Sequence, residues 1–138
     1  MALVLRLTRR AEFLRAARIG RKWATPGLVL QAVATPQPIR SETTARLGFT
    51  ASRKVGGAVV RNRVKRRLRA AADLVIKDHA EAGYDYVLIG RAETARRPFT
   101  ALLQDLETAL KRLGRFSSAG AGGNGAALES SGNGTPSS

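Results

Sequence analysis

Residues 58–82 read AVVRNRVKRRLRAAADLVIKDHAEA, and this stretch decides the fold because it carries two patterns at once. Apolar residues recur in it at the 3.6-residue spacing that places side chains on one face of an α-helix. They are Val60, Val64, Leu68, Ala71, Ala72 and Val75. Arginine and lysine fill most other positions of the first half. The stretch therefore predicts a long helix that packs by one face on a core, presents a basic surface and ends before Gly83.

Two further helices are predicted, one on each side of this segment. Thr8 is a suitable N-cap for a short basic helix over residues 9–19, which Gly20 would end. Pro98 is suited to the first turn of a last helix with a strong leucine stripe, which runs to Leu113.

Short apolar or alternating runs predict strands at residues 28–34, 46–51 and 85–91, with a short additional strand at 22–25 left open. The predicted order is thus α-β-β-β-α-β-α. This order is typical of an α/β (α+β) domain with a single core, which a chain of 138 residues can accommodate. The domain is expected to cover residues 1–116.

The last part of the chain, residues 117–138, reads SSAGAGGNGAALESSGNGTPSS. It consists almost entirely of Gly, Ser, Ala and Asn, and Glu129 is its only charged residue. Such a composition predicts a disordered tail. The positive charge of the protein therefore belongs to the preceding domain.

The net charge is +14 and the isoelectric point about 11.7, which favours a polyanionic partner, above all nucleic acid. An anionic membrane is the competing polyanion, but membrane-surface helices usually carry aromatic residues on the apolar face, and residues 58–82 contain none. The apolar N-terminal stretch is too short for a secretory signal and is followed by arginines. We therefore expect a cytoplasmic protein with no membrane partner and no obligatory protein partner.

The chain has no cysteine and a single histidine, His79. Thiolate zinc sites, disulfide frameworks and Cys/His nucleophile pairs are therefore excluded. His79 lies in the charged run KDHAEAG, where a solvated surface histidine is the common case, and we assign it no role.

No acidic residue occurs between Glu42 and Asp73, and basic residues are concentrated in this window. They are Arg46, Arg53, Lys54, Arg61, Arg63, Lys65, Arg66, Arg67 and Arg69. Like charges four residues apart destabilise an isolated helix, and a polyanion would relieve the repulsion. A merely solvated helix face is the alternative interpretation.

The loop before the long helix contains Gly56 and Gly57, which permit a tight turn and leave backbone N–H groups available to a phosphate. No Gly-Lys-Ser/Thr follows, so nucleotide hydrolysis has no support. Asn62 interrupts the basic run with an amide that can both donate and accept, which favours specific polar recognition.

Together, SRKVG at residues 52–56, Ala58-Val59 and RNRVKR at residues 61–66, with Leu68-Arg69 after them, resemble the signature of the bacterial ribonuclease P protein family. The resemblance extends to Glu12-Phe13 and Gly20, to Arg46 and Gly48, and to the segment from Asp85 to Arg91. It covers roughly residues 6–116.

The resemblance implies an α/β sandwich with a mixed sheet of about four strands and an unusual left-handed βαβ crossover. It implies the protein subunit of a ribonucleoprotein that removes the 5′ leader of precursor tRNA, with catalysis by RNA and Mg²⁺ held mainly by that RNA. Contact with the catalytic RNA is implied for Arg53, Lys54, Arg61, Asn62, Arg63, Lys65, Arg66 and Arg69. No catalytic residue and no metal ligand is expected in the protein itself.

The family also holds the single-stranded leader in a cleft between the first helix and the sheet, and Phe13 and Arg46 match cleft positions. Stacking of a base on a ring contributes about 1–3 kcal/mol without requiring a particular sequence. Two cleft positions that are often aromatic in relatives correspond to Ala17 and Gln31. Packing of Phe13 in the core is the alternative, and Trp23 is left unassigned.

Two other functions compete with this one. A protein-only nuclease would normally need clustered carboxylates for Mg²⁺, but the acids of this chain are scattered. A ribosomal or architectural nucleic-acid binder fits the composition, but the signature at residues 52–69 favours the ribozyme subunit.

Overall fold

The computed structural model describes residues 3–117, in which helices and strands alternate in the order β-α-β-β-β-α-β-α. The strands are β1 (Leu3–Arg6), β2 (Arg21–Ala24), β3 (Leu28–Ala34), β4 (Thr44–Thr50) and β5 (Tyr84–Gly90). The helices are α1 (Arg10–Ile19), α2 (Ala58–His79) and α3 (Phe99–Arg112), and short 3₁₀ turns precede α2 and α3.

The strands form one mixed sheet in the order β1-β4-β5-β3-β2. β1 and β5 both pair with β4 in parallel, whereas β3 runs antiparallel to β5 and to β2. α2 connects the parallel neighbours β4 and β5, so that a βαβ unit lies at the centre of the domain. The mixed α/β architecture predicted from the sequence is confirmed.

The sheet has five strands among the described residues, and the predicted count of four is therefore wrong. The strand that was not predicted is β1, which has only four residues. Leu3 and Leu5 are exposed, and only Val4 packs on the core, so the strand shows no clear alternation. Its pairing with residues 44–47 is a long-range contact that a local pattern does not reveal.

Alternation along the strands separates two cores on the two faces of the sheet. In β5, Tyr86 and Leu88 belong to the larger core, which α2 and α3 cover. Val87 belongs to a smaller core on the other face, where Ala16 of α1 packs. The domain thus has three layers, with α1 on one side of the sheet and the other two helices on the opposite side.

α2 ends at His79, three residues before the predicted end at residue 82. The chain becomes extended at Ala80, which forms a β-bridge with Phe116, and the Glu81 N–H donates to the carbonyl of Arg115 at 2.9 Å. Pairing with the C-terminal segment therefore replaces the last helical turn that helix propensity alone would favour.

The starts of the other two helices also differ from the predictions. Arg9 rather than Thr8 is the N-cap of α1. A Glu12 carboxylate oxygen accepts hydrogen bonds from the backbone N–H groups of both Thr8 and Arg9, at 3.1 and 2.9 Å. Pro98 is the N-cap of α3, one position before the first turn.

Within the described part of the chain, no helix combines the length and the apolar content that crossing a membrane would require. The predicted tail, apart from Ser117, lies outside the described residues.

Candidate nucleic-acid interface

The loop that leads into α2 is a 3₁₀ turn at Arg53–Val55 followed by two glycines. Gly56 has φ of +152°, and a Cβ on it would lie 2.9 Å from the Cβ of Val60. Gly57 has an ordinary φ of −71° and open space around it. The turn therefore requires glycine at Gly56 alone, and it holds Arg53 and Lys54 exposed beside the start of α2.

The predicted RNA-binding residues of α2 are distributed over its solvent side. The exposed ones are Asn62, Arg63, Arg66 and Arg69. Arg61 and Lys65 are half-buried, and Val64 and Leu68 on the opposite side are completely buried. Among residues 3–117, none of the basic side chains from 53 to 69 is within salt-bridge distance of a carboxylate. The structure therefore keeps their charges together and uncompensated by acids.

Arg67 differs from the other arginines of this run. Its guanidinium donates to the backbone carbonyl of Arg97, which ties α2 to the turn before α3. Arg67 thus contributes to tertiary structure.

A groove of about 540 Å³ lies on the sheet face that α1 covers. Phe13, Leu14 and Ala17 of α1 line one side of it, and Lys65 of α2 is part of the other. The groove therefore connects the basic helix with the first helix across the sheet.

The floor of the groove is formed mainly by two strands. Val87 and Ile89 of β5 and Gln31 of β3 contribute side chains that alternate toward this face. Gln31 is only 7% exposed, so most of its surface is already covered by protein. Both positions that the family resemblance placed in a cleft, Ala17 and Gln31, line the groove, and neither contributes an aromatic ring to it.

Phe13 is half-buried and packs directly on the backbone of β4 at Gly48. A Cβ on Gly48 would lie 2.5 Å from Cε1 of the Phe13 ring, closer than side chains approach one another. Gly48 thus provides the space in which the ring lies along the groove.

Arg46 lies on the same face but is not among the residues that line the groove. Its Nε and Nη2 atoms donate to the two oxygens of Asp85 at 2.8 and 2.7 Å, and its Nη1 donates to Glu12 at 3.0 Å. Only 12% of its side chain is exposed, and Thr35 donates a further hydrogen bond to Asp85 at 2.7 Å. The hydrogen bond with Asp85 raises the pKa of Arg46 above its ordinary value, so the side chain remains a cation.

This network joins the first helix to the sheet. One Glu12 oxygen caps the start of α1, and the other accepts from Arg46 on β4. Arg46 in turn reaches Asp85 on β5, which is 1% exposed. The network therefore fixes the N-terminal end of α1, which carries Phe13, relative to the groove floor.

Glu12 and Asp85 match the family signature, but no role was predicted for either from the sequence. A signal was present in the strand DYVLIGR, because an acid in an otherwise apolar buried strand requires a partner when it is buried. The floor residues Val87 and Ile89 gave no such signal, since apolar residues in a strand are ordinary core residues.

His79 is half-buried rather than freely solvated. Its ring stacks on Phe116 with 4.6 Å between centroids, and its Nδ1 lies 3.0 Å from the carbonyl oxygen of Ser117. The expectation of a solvated side chain is therefore wrong, and the residue anchors the segment after α3.

Among the described residues, no three or more His, Cys, Asp or Glu side chains come together in an arrangement that could hold a metal ion. The two buried carboxylates of residues 3–117, Asp85 and Asp105, are instead paired with Arg46 and Arg97.

Known proteins of one family resemble this chain both in sequence and in structure. A family model described as Ribonuclease P matches residues 1–114. The chain is 55% identical over 109 residues to the ribonuclease P protein component of Paramagnetospirillum magneticum, covering 79% of this chain and 82% of that one. It is 50% identical over 109 residues to that of Gluconacetobacter diazotrophicus, covering 79% and 90%.

Two solved structures extend the likeness to the fold. The RNase P protein of Staphylococcus aureus matches with a TM-score of 0.62 and 29% identity, covering 77% of this chain and 92% of that one. The RNase P protein of Thermotoga maritima matches with a TM-score of 0.63 and 28% identity, covering 78% and 96%.

Proposed function

This chain belongs to the bacterial ribonuclease P protein family, and on that premise we propose that its groove binds the single-stranded 5′ leader of precursor tRNA. As a family member it is the accessory protein subunit of the endoribonuclease ribonuclease P and partners the RNA of that ribonucleoprotein. The RNA is the catalyst. The proposal concerns which residues of this chain contact the leader and which contact the catalytic RNA.

The groove between Phe13 and Lys65 is the observation that carries the proposal. An aromatic ring on one side offers a stacking surface, and an ammonium group on the other offers a phosphate contact. Its floor is largely apolar and presents few groups that could read base edges. A single strand of varied sequence, as a leader must be, would be accepted by such a site.

The basic surface of α2 is assigned to the catalytic RNA in this proposal. Arg61, Asn62, Arg63, Lys65, Arg66 and Arg69, with Arg53 and Lys54 from the preceding loop, would contact its backbone. Support comes from their exposure or partial exposure on one helix and its preceding loop, and from the lack of acidic partners within salt-bridge distance in the described chain. Phosphate binding by such a cluster releases counterions and is favourable.

For Arg46 we propose a positioning role in place of a direct leader contact. Each of its three guanidinium nitrogens donates to one of two carboxylates, and the side chain is almost fully covered. Movement of this guanidinium onto a phosphate would leave Asp85 buried without its cation, which is unfavourable. Arg46 thus still matches a cleft position of the family, but its effect on leader binding would be indirect.

Mg²⁺ in this proposal is held mainly by the RNA, since the protein's basic surface would repel a divalent cation and its buried acids are paired with arginine. The ion supplies charge stabilisation and an activated water for phosphodiester hydrolysis. An assembly of this kind acts on new transcripts, for which the cytoplasm is the proposed location.

The test is the affinity of the reconstituted holoenzyme for precursor tRNA and for mature tRNA after Phe13→Ala and Phe13→Leu substitution. Both variants remove the stacking surface, and Leu preserves apolar contact with Gly48. We expect about five- to tenfold weaker binding of the precursor and unchanged binding of the mature tRNA.

Phe116→Ala is the matched control, because Phe116 is also half-buried and stacked but lies at the C-terminal segment. It should leave the ratio of precursor to mature affinity unchanged. Equal weakening of both substrates by Phe13→Leu would contradict the proposal. So would a Phe13→Ala variant that loses about 3–5 kcal/mol of stability, as a core phenylalanine would.

A further inference from the structure

A second cluster of cations and aromatic rings lies at the end of the sheet farthest from the glycine loop. α2 leaves the end of β4 and returns to the start of the parallel strand β5, so the loop before α2 and the start of β5 are at opposite ends. At the start of β5, two guanidinium carbons lie over the ring of Tyr84, that of Arg115 at 4.1 Å and that of Arg40 at 5.3 Å from its centroid. The guanidinium carbon of Arg112, in the last turn of α3, lies 5.4 Å from the ring centroid of Trp23 on β2.

Arg21 connects the two rings. It lines a cavity of about 150 Å³ together with Tyr84 and Arg115. It also precedes Trp23 by two residues on β2, so the two side chains point to the same face of the sheet. That face carries the larger core, because Trp23 lies opposite the core residue Leu30. We call this set the distal surface, and it consists of Arg21, Trp23, Arg40, Tyr84, Arg112 and Arg115.

The positive charge of the distal surface is largely uncompensated. Arg115 pairs with the carboxylate of Glu81 at 2.6 Å. The other three arginines are exposed, and within residues 3–117 none of them is within salt-bridge distance of a carboxylate. Trp23 is 40% exposed beside these cations. A ring beside cationic side chains is a combination that binds RNA by stacking and phosphate contact.

The distal surface is too far from the basic surface of α2 to be part of it. Its Arg115 pairs with Glu81, two residues after the end of α2, whereas the RNA-binding residues proposed for α2 end at Arg69. The helix from Arg69 to His79 rises about 15 Å. This exceeds the Debye length of about 8 Å at physiological ionic strength. Charges on the two surfaces therefore attract phosphates nearly independently.

We propose that the distal surface binds the phosphate backbone of the catalytic RNA at a segment other than the one that contacts α2, and that Trp23 packs against a nucleotide of that segment. The inference rests on the partnership with the catalytic RNA and adds a second protein surface to it. The groove lies on the opposite face of the sheet, among Gln31, Val87 and Ile89, so a leader bound there would not lie against Trp23. The catalytic RNA is therefore the partner to which we assign this surface.

The alternative is that these cations only stabilise the C-terminal end of α3. Arg112 is in its last turn, and Nη1 of Arg21 donates to the carbonyl of the C-cap residue Leu113 at 3.2 Å. Cations are favourable at this end of a helix. Arg40 is outside this explanation, because it comes from the loop between β3 and β4. Arg40 and Trp23 therefore separate the two explanations.

The first experiment uses the fluorescence lifetime of Trp23, which reports on this surface because Trp23 is the only tryptophan in the protein. Quenching by acrylamide is measured in the full chain, free and reconstituted with a bacterial ribonuclease P RNA. We expect assembly to lower the quenching constant about twofold or more, because a ring packed on a nucleotide is shielded from the quencher. Addition of precursor or mature tRNA to the holoenzyme should cause no further change. An unchanged quenching constant on assembly, or a fall that requires the precursor, would overturn the proposal.

The combined variant Arg40→Ala and Arg112→Ala tests the phosphate contacts. We expect the slope of log affinity against log salt for assembly to fall by about one unit for each lost contact, with little change in the unfolding transition. Arg18→Ala combined with Arg96→Ala is the matched control, since both side chains are exposed and belong neither to α2 nor to the distal surface. The control should leave most of the slope intact. An intact slope in the folded Arg40 and Arg112 variant would leave these cations with a structural role and overturn the proposal.

Two further outcomes would also count against the distal surface as an RNA site. Shielding of Trp23 by vesicles of phosphatidylglycerol, but not by the catalytic RNA, would assign the surface to a membrane. If Phe13→Leu weakens precursor binding selectively and Trp23 is not shielded on assembly, the groove function stands and only the distal surface fails.

Discussion

The basic surface of α2 and the groove beside α1 meet at Lys65, but they are built in different ways. The surface belongs to one helix and its preceding loop, so that its residues follow one another within 53–69. The groove is assembled from α1, α2 and the strands between them, and Lys65 is shared by both. Substitution of exposed side chains on one helix leaves the fold intact. The shape of an assembled groove depends in addition on buried side-chain contacts that do not themselves contact RNA.

Arg46→Ala should have the largest effect on folding, because it leaves Asp85 buried without a cation and releases Glu12. Breaking a buried ion pair from one side costs about 3–5 kcal/mol, and we expect a loss of unfolding free energy of this size in denaturant titration. Arg96→Ala removes the exposed pair with Glu93 and should cost at most about 1 kcal/mol. Similar losses for both variants would show that the network does not hold the groove together.

The opposite behaviour is expected for the combined substitution of Arg61, Arg63 and Lys65 by Ala. Stability should change little, but assembly with the catalytic RNA should weaken, and the slope of log affinity against log salt should fall by about one unit for each lost phosphate contact. Removing the same charge elsewhere, by substitution of Arg18, Lys77 and Arg96, should leave most of the slope intact. An unchanged slope in the folded α2 variant would support the alternative interpretation, in which these basic residues only form a solvated helix face.

Gly48→Ala tests whether the groove depends on one close backbone contact. The added Cβ would lie 2.5 Å from Phe13, and the ring would have to move. Overpacking of this kind costs about 1–3 kcal/mol, and we expect precursor binding to weaken with it. Gly57→Ser introduces a side chain into open space at a position that favours serine, and should be neutral or slightly stabilising. Full precursor affinity in Gly48→Ala would remove Phe13 from the leader site.

The two regions also differ in how far they could be predicted from sequence. The helix, its charge and its glycine loop are local patterns, and α2 and the predicted strands at residues 28–34, 46–51 and 85–91 are present with ends that differ by at most a few residues. β1 could not be predicted, because its stability comes from pairing with residues 44–47. The environment of Arg46 could not be predicted either, since it depends on the register of β4 and β5, which places Arg46 opposite Asp85.

Lys65→Ala is expected to have the smallest effect. It tests whether the basic surface of α2 and the groove are separate binding sites, because Lys65 belongs to both. Lys65 is half-buried and lines the groove, whereas Arg63, two residues earlier, is exposed on another side of α2. Both substitutions remove one charge and should lower the salt slope of assembly by about one unit at most. Only Lys65→Ala should also weaken binding of precursor relative to mature tRNA, by a few-fold, because only its ammonium group lies along the proposed leader path. Affinities of the two holoenzymes for both substrates at matched salt would decide this. If Arg63→Ala lowered the ratio of precursor to mature affinity as much as Lys65→Ala, the surface and the groove would be one undivided binding site.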